Sequence, residues 1–283
     1  MTDRVRRVSR VLRDLVEPIA ANVYFAPEAH AAYEELGLEG FSEGYFPSRG
    51  GCMGQVAGYV VAAAFGVFNP DVVKDAVDAA WSKTTVGAVI DARYRGATAS
   101  LTRLLGEHPE GIERATELLT RAAAAGTVEG RHLFAGLRSL GFPGEPMGDL
   151  WRAADLVREH RGDSHVCAYA SYGLTGIEAN LLCELWWRMP LRGYTRSRGW
   201  SEEQIETAIE GLRDRGIIKG EEFSAEGEAL RAAVEAATDR QEAPLVEALG
   251  DDADELFALI DPWATAICAG GGYPADPRTF TRP

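Results

Sequence analysis

Two residues stand out for the chemistry that their neighbours allow. His165 lies in Gly162-Asp163-Ser164-His165-Val166-Cys167, so a carboxylate, a hydroxyl and a thiol fall within two positions of it. A histidine so placed could act as a general acid or base, or offer a ring nitrogen to a ligand, because its charge changes near neutral pH. The competing interpretation is a core histidine satisfied by a backbone carbonyl, with Cys167 as a small buried apolar residue. Arg49 lies in the stretch Gly40 to Gly54, together with Tyr45, Phe46 and Met53. A planar guanidinium among aromatic rings suits a two-pronged grip on a carboxylate or phosphate. It equally suits an ion pair that pins a loop. Arg93 follows Asp91 on a helical pattern and Trp81 ends the pattern before it; each reads as packing at least as readily as site. The candidate ligand-binding set is therefore Tyr45, Phe46, Arg49, Met53, Trp81, Arg93 and His165.

No other chemistry is spelled out. There is no phosphate loop of the G-x-x-x-x-G-K-[ST] type, no G-x-G-x-x-G, no H-E-x-x-H and no recognisable triad. The four cysteines, Cys52, Cys167, Cys183 and Cys268, are far apart and form no C-x-x-C. That spacing fits a reducing compartment and argues against structural zinc, so neither a metal nor a cofactor is expected. The formal charge of −14 and a pI near 4.9 disfavour non-specific attraction to nucleic acid or an anionic membrane. The longest apolar run, Val56 to Phe68, is broken by glycines and too short to span a bilayer. The basic N-terminus lacks a following apolar segment, so no signal peptide and a cytoplasmic location are expected.

The elements that must position these residues are helical. Apolar residues at Val5, Val8, Leu12, Leu15, Val16 and Ile19 give a first helix after Thr2 or Asp3. Its other face carries Arg4, Arg6, Arg7, Arg10 and Arg13, which read as a solvated face balancing an acidic body rather than as an arm for nucleic acid. Pro27 opens a second helix ending near Gly37. The Gly40–Gly54 stretch reads as a long loop whose Tyr45 and Phe46 turn back over something apolar. Helices follow from about Met53 to Phe65, from Asn69-Pro70-Asp71 to Trp81, from Thr84 or Thr85 to Leu105, from Gly111 to Ala125 and from Val128 to Leu140. Breakers at Gly141-Phe142-Pro143-Gly144-Glu145-Pro146 mark a linker. A helix after it should end near Arg161, leaving the residues around His165 to lead into the next unit. These patterns predict a mainly α chain: a helical domain at 1–145 packed on a second at 146–283.

The second unit carries local signals of unusual density. Thr175 with Glu178 and Ser201 with Gln204 are capping boxes. Gly216 falls where a left-handed residue ends a helix. Ile217 to Phe223 reads as a very short hairpin, after which Ser224 caps a long helix to about Arg240, with further helices at 244–249 and 252–269. Helix, short helix, helix, hairpin, helix is the order of a winged helix. The wording, a helix-ending "L-x-x-x-G-I-I" followed by a wing and then "S-x-E-G", resembles the MarR family. The resemblance implies a short β-wing and a homodimer made by the terminal helices around Val234 and Leu256 to Ile267.

The charges oppose the usual use of that shape. A winged helix reads DNA with its second motif helix in the major groove and basic side chains on phosphates. Here that helix, Ser201 to Arg215, presents Glu202, Glu206 and Glu210 along one line, with Glu203 beside them. From Ser201 to Glu228 there are three basic residues, Arg213, Arg215 and Lys219, against nine acidic ones. Like charges facing phosphates work against the counterion release that drives non-specific binding. The tip of the wing, Gly220-Glu221-Glu222, is acidic too. Arg192, Arg196 and Arg198 are too few to reverse the sign.

Over most of its length the chain is also similar to an actinobacterial family known for a helix-turn-helix. The similarity rests on Tyr45-Phe46-x-x-Arg49-x-x-x-Met53-Gly54, Phe68-Asn69-Pro70 with Trp81, the stretch Arg161 to Val166, and Glu235-x-x-Thr238-Asp239. It implies that the two halves work together around Arg49 and His165. The function expected is that of a small-molecule-binding winged-helix protein, a degenerate regulator whose ligand is an aromatic anion. The alternatives are a ligand-responsive MarR-like DNA-binding regulator and an enzyme using His165 as acid or base.

Overall fold

The structure, a computed structural model, describes residues 2–274 and 276. Helices make up almost all of its regular structure, and among the described residues the strands form one two-stranded hairpin. The chain is mainly α, as its periodicity predicts.

Most helix starts follow local chemistry. Helix α1 (Asp3–Ala21) begins where the Thr2 hydroxyl accepts the N–H of Val5, and it buries Val5, Val8, Leu12, Val16 and Ile19 on one face. Helix α2 (Pro27–Glu34) starts on its proline, which has no N–H to leave unpaired. Helix α3 (Gly40–Gly50) and a 3-10 turn at Gly51–Met53 occupy the stretch expected to be a loop. Its glycines read as breakers, but Tyr45 and Phe46 are buried against Phe65 and Phe68, and that packing outweighs weak helix propensity. Helix α4 (Gly58–Phe65) consequently starts five residues later than predicted. Asn69 accepts the N–H of Asp71 to open α5 (Pro70–Lys83), and Thr85 caps α6 (Val86–Leu105). Helices α7 (Ile112–Ala124) and α8 (His132–Leu140) complete the first half.

The largest departure is α9 (Pro146–Ser171), a single helix of 26 residues. It does not stop near Arg161; it passes through Gly162, Asp163, Ser164 and His165. A glycine inside a helix costs about 1 kcal/mol. Both ends of α9 are anchored in apolar surroundings, Leu150 and Trp151 at one end and Ala168 and Tyr169 at the other, and that anchoring holds the helix through the weak point. Continuity sets a register. Asp155, Glu159 and Asp163 fall on one face, whereas Arg158, Arg161 and His165 fall on another.

Both capping boxes are present, opening α10 (Gly176–Trp186) and α12 (Glu202–Asp214), with the short α11 (Gly193–Arg196) between them. Gly216 takes φ +69° and ends α12. Strands β1 (Ile218–Lys219) and β2 (Glu222–Phe223) pair antiparallel, Ile218 opposite Phe223. The Ser224 hydroxyl accepts the N–H of Gly227 at 3.0 Å to open α13 (Ala225–Gln241). A Cβ on Gly227 would lie 1.9 Å from the Ile217 carbonyl oxygen. The glycine of the "S-x-E-G" wording is there because α13 starts directly against the backbone before the hairpin. Helices α14 (Ala243–Leu249) and α15 (Ala253–Ala269) follow.

Two buried apolar clusters result. The first joins α1 to α8 and the first half of α9 with Leu245, Leu249, Leu256, Ile260 and Ile267 of α14 and α15. The second runs from Ala168 to Val234. The clusters therefore divide the chain differently from the expected 1–145 and 146–283, because α9 serves both and α14 and α15 return to α1 and α7. The apolar positions that were expected to pair between two copies, Val234, Leu256 and Ile267, are buried within one chain. No described helix is long and apolar enough to cross a membrane.

Candidate ligand-binding site

A cavity of about 260 Å³ opens where the two clusters meet, between α1, α9, α10 and α13. Leu12, Val16, Val157 and Trp187 form apolar wall, and Arg13, Arg49, Arg158, Arg161 and Arg231 bring charge to it beside His165 and Glu235. Each element contributes through its helical phase. Arg158, Arg161 and His165 share a face of α9, and Arg231, Glu235, Thr238 and Asp239 share a face of α13.

Not all of this charge is available. The Nε and Nη2 of Arg49 donate to the two oxygens of Glu159, each at 2.7 Å, and its Nη1 donates to the Tyr45 hydroxyl at 3.0 Å. Arg158 forks onto Glu17 at 3.0 and 3.1 Å and gives its third nitrogen to Glu159 at 2.7 Å. Burial alone would push the Glu159 carboxyl up, but Arg49 and Arg158 outweigh it and hold it down at about 2. The ion-pair interpretation of Arg49 thus describes its own contacts, and its fork is closed. By contrast, Arg161 donates from Nη2 to Asp239 at 2.9 Å, while its Nη1 is buried with no hydrogen-bond partner among the described residues. Arg231 donates from Nη1 to Glu235 and lies 5.0 Å over the Trp186 ring, and Arg13 donates from Nε to Asp14 at 2.7 Å and lies 6.0 Å over the ring of Trp187. Both tryptophans are exposed, 39 % and 43 %.

His165 is partly exposed as a wall of the cavity, and its Nδ1 lies 3.1 Å from the Thr238 hydroxyl. Burial lowers its pKa to about 4, and the guanidinium groups of Arg231, Arg161 and Arg13 add to the shift while Glu235 opposes it. The expectation that this histidine gains charge near pH 6.5 is corrected accordingly: it stays neutral two units further down. Cys183, also on the wall, is pushed up to about 11 by burial, which removes it as a thiolate nucleophile at neutral pH.

Of the seven predicted residues, Arg49 and His165 share this cavity. Tyr45 touches it only through Arg49 and borders a separate cavity of about 220 Å³ with Tyr24, Tyr33 and Phe41. Phe46 is core, 2 % exposed. Met53 packs on the first cluster, and the Trp81 indole N–H donates to the Val56 carbonyl at 2.9 Å. Arg93 is buried, donating to both oxygens of Asp155 at 3.1 and 3.2 Å and to the Tyr24 hydroxyl at 3.1 Å. The residues missed were Arg13, Arg158, Arg161, Arg231 and Glu235. Their signal was the spacing of Arg158, Arg161 and His165, which becomes visible only once α9 is carried through Gly162. The basic face of α1 also divides: Arg10 donates to the buried Asp239 at 2.9 Å and Arg13 reaches the cavity, so that face is not simply solvated.

Around α12 three arginines are spent on glutamates, while Arg213 donates to the Gly220 carbonyl. Arg192 pairs with Glu206 and Glu221, Arg196 with Glu202, and Arg215 with Glu178. Glu203 and Glu210 stand exposed with no ion-pair partner among the described residues.

Two capped helices joined through a short one, in a chain otherwise almost wholly helical, make this a protein of the helix-turn-helix class. A family model described as a helix-turn-helix family matches residues 9–274, and the chain belongs to that family. Neither a curated protein nor a solved structure matches it.

Proposed function

We propose that this chain is a small-molecule-binding member of the helix-turn-helix family, in which a MarR-like winged helix, α10 to α13 with its hairpin, forms one side of a ligand site instead of reading a groove. The observation that carries this is the junction cavity, apolar on one side and lined on the other by guanidinium groups whose carboxylate partners, Asp14, Glu235 and Asp239, leave part of each fork unused. Concave, mostly apolar sites with a few convergent polar groups are where small molecules bind. At about 260 Å³ it suits a compact ligand, and the excess of donors suits an anion. An aromatic anion would lay its ring on Leu12, Val157 and Trp187. Its charge would meet Arg161, Arg231 and Arg13, because Arg49 and Arg158 are already closed on Glu159 and Glu17.

A second reading, a ligand-responsive DNA-binding regulator, is favoured by family membership itself. Helix-turn-helix proteins commonly bind DNA, and α12 is exposed and well capped. Against it stand the exposed Glu203 and Glu210 and the pairing of Arg192, Arg196 and Arg215 with glutamates, which leaves little basic surface for phosphates.

Thermal shift with small aromatic and aliphatic carboxylates, run beside band shifts on random duplex DNA, tests both readings. The first expects carboxylates to raise the melting temperature and DNA to bind weakly even at low salt. Band shifts at sub-micromolar protein that weaken steeply with added salt would transfer the function to the second. Arg49→Ala is expected to act on the fold more than on the ligand, costing up to about 3–5 kcal/mol in urea unfolding because the buried Glu159 loses both bonds from Arg49 and keeps only the one from Arg158. Unchanged stability together with lost ligand affinity would make Arg49 the direct grip.

A further inference from the structure

The hydrogen bonds around His165 fix what its cavity side offers. The Thr238 hydroxyl donates its one proton to the Val234 carbonyl at 2.9 Å, one turn back along α13. Toward His165 Nδ1, 3.1 Å away, that oxygen can then only accept. Nδ1 therefore carries the ring proton, and in the neutral ring Nε2 holds a lone pair. The cavity thus places a hydrogen-bond acceptor, His165 Nε2, in the same lining as the guanidinium groups of Arg161 and Arg231, and just beneath that lining Arg161 Nη1 has no hydrogen-bond partner among the described residues.

A bare carboxylate satisfies only half of this. It pairs with the arginines but sets oxygen lone pairs against that of Nε2, and a buried acceptor left unmet costs free energy. We infer that the site is built for an anion that carries its own hydroxyl donor next to the charged oxygens, in chemical terms a 2-hydroxy carboxylate, with the O–H donating to His165 Nε2 and the carboxylate held by Arg161 and Arg231. This rests on the ligand-binding reading of the same cavity. Hydrogen phosphate also offers an O–H beside anionic oxygens, but it leaves the wall of Leu12, Val16 and Trp187 unused, and so the organic anion is favoured.

The test uses the full chain with three probes: mandelate, phenylacetate, which is the same acid without its hydroxyl, and inorganic phosphate. Calorimetry is expected to give mandelate at least about tenfold tighter binding than phenylacetate, the value of one neutral hydrogen bond to a buried partner. Nitrogen-15 spectra of the histidine rings are expected to show His165 as the Nδ1–H tautomer in the free protein. Thr238 serves as a positioning residue. In Thr238→Val, with helix content unchanged by circular dichroism, the preference for mandelate should shrink to about twofold and the second tautomer should appear. Equal affinity for mandelate and phenylacetate would overturn the hydroxyl inference while leaving an anion site. Phosphate binding tighter than mandelate, or an Nε2–H tautomer in the free protein, would overturn it as well. If none of the three binds at millimolar concentration, the ligand-binding reading fails and the inference with it.

Discussion

Asp163 and His165 lie two positions apart on α9, and burial moves their protons in opposite senses. Burial, followed by the nearby Glu159 charge, pushes the Asp163 carboxyl up to about 7, although it accepts the Phe134 N–H at 2.9 Å. His165 is pushed down to about 4, with Arg231 and Glu235 of α13, Arg161 of α9 and Arg13 of α1 facing it. The unfolded references are 3.8 for Asp163 and 6.5 for His165. From about pH 4 to 7 the folded chain keeps a proton on Asp163 that the unfolded chain has lost, so this group makes stability fall as pH rises. From about pH 4 to 6.5 the unfolded chain binds a proton that His165 refuses when folded, so this group makes stability rise. In the parent the two offset each other across the shared window. Asp163→Asn, which keeps an oxygen for the Phe134 N–H, should therefore leave a stability that climbs with pH between 4.5 and 6.5, and His165→Gln one that falls. Urea midpoints at pH 4.5, 5.5 and 6.5 measure both; two variants running parallel to the parent would mean that neither side chain titrates as its burial requires. The lower limit avoids Glu159 and Glu235, each held at about 2 by arginines against the upward push of burial.

Which elements were legible follows from where their determinants lie. The caps at Asn69, Thr85, Thr175, Ser201 and Ser224 are chemistry between residues two or three apart, so sequence spells them out and the structure repeats them. Helix α3 and the middle of α9 are held by distant partners, and their glycines speak locally for a break. That single misplaced end at Arg161 hid most of the site: without α9 carried past Gly162, nothing aligns Arg158, Arg161 and His165. Arg49 and His165 were nameable because their immediate neighbours are unusual; Glu235 stood out only through the motif Glu235-x-x-Thr238-Asp239, and nothing beside Arg231 marks it, although the two pair at i, i+4 on α13. The two glycines make opposite predictions. A Cβ at Gly162 would meet Glu159 Oε2 at 3.4 Å and Arg49 Nη2 at 4.0 Å, ordinary contacts, so Gly162→Ala should stabilise the chain by about 0.5–1 kcal/mol through helix propensity. Gly227→Ala has no such room against the Ile217 carbonyl and should cost about 1–3 kcal/mol. Urea unfolding of the pair checks this, and a destabilising Gly162→Ala would mean that α9 is broken there.

At the scale of the whole molecule, the division of the chain into clusters bears on what can fold alone and on how a ligand would be felt. A boundary at 145/146 predicts that residues 146–283 form an independent unit. In the structure that piece would carry α14 and α15 without the faces they pack on: Leu256 and Ile260 belong to the same cluster as Val8 and Leu12 of α1 and Leu118 of α7. Leu150 and Trp151 of α9 would be stranded as well, Trp151 losing the Ala20 carbonyl that its indole N–H reaches at 3.1 Å. Exposing several fully buried large side chains forfeits about 1.5–3 kcal/mol apiece, which together matches or exceeds the net stability of an ordinary domain. The fragment 146–283 should therefore be helical by circular dichroism yet unfold in urea without a cooperative transition. The full chain should lose its helix signal and its tryptophan fluorescence in one coincident step, because α9 runs through both clusters. It follows that a ligand seated between α9 and α13 would raise the stability of the entire chain by RT ln(1 + [L]/Kd) and not of one half. A fragment 146–283 that unfolds cooperatively, or a full chain whose two signals part, would restore two independent domains and confine the cavity to a movable seam between them.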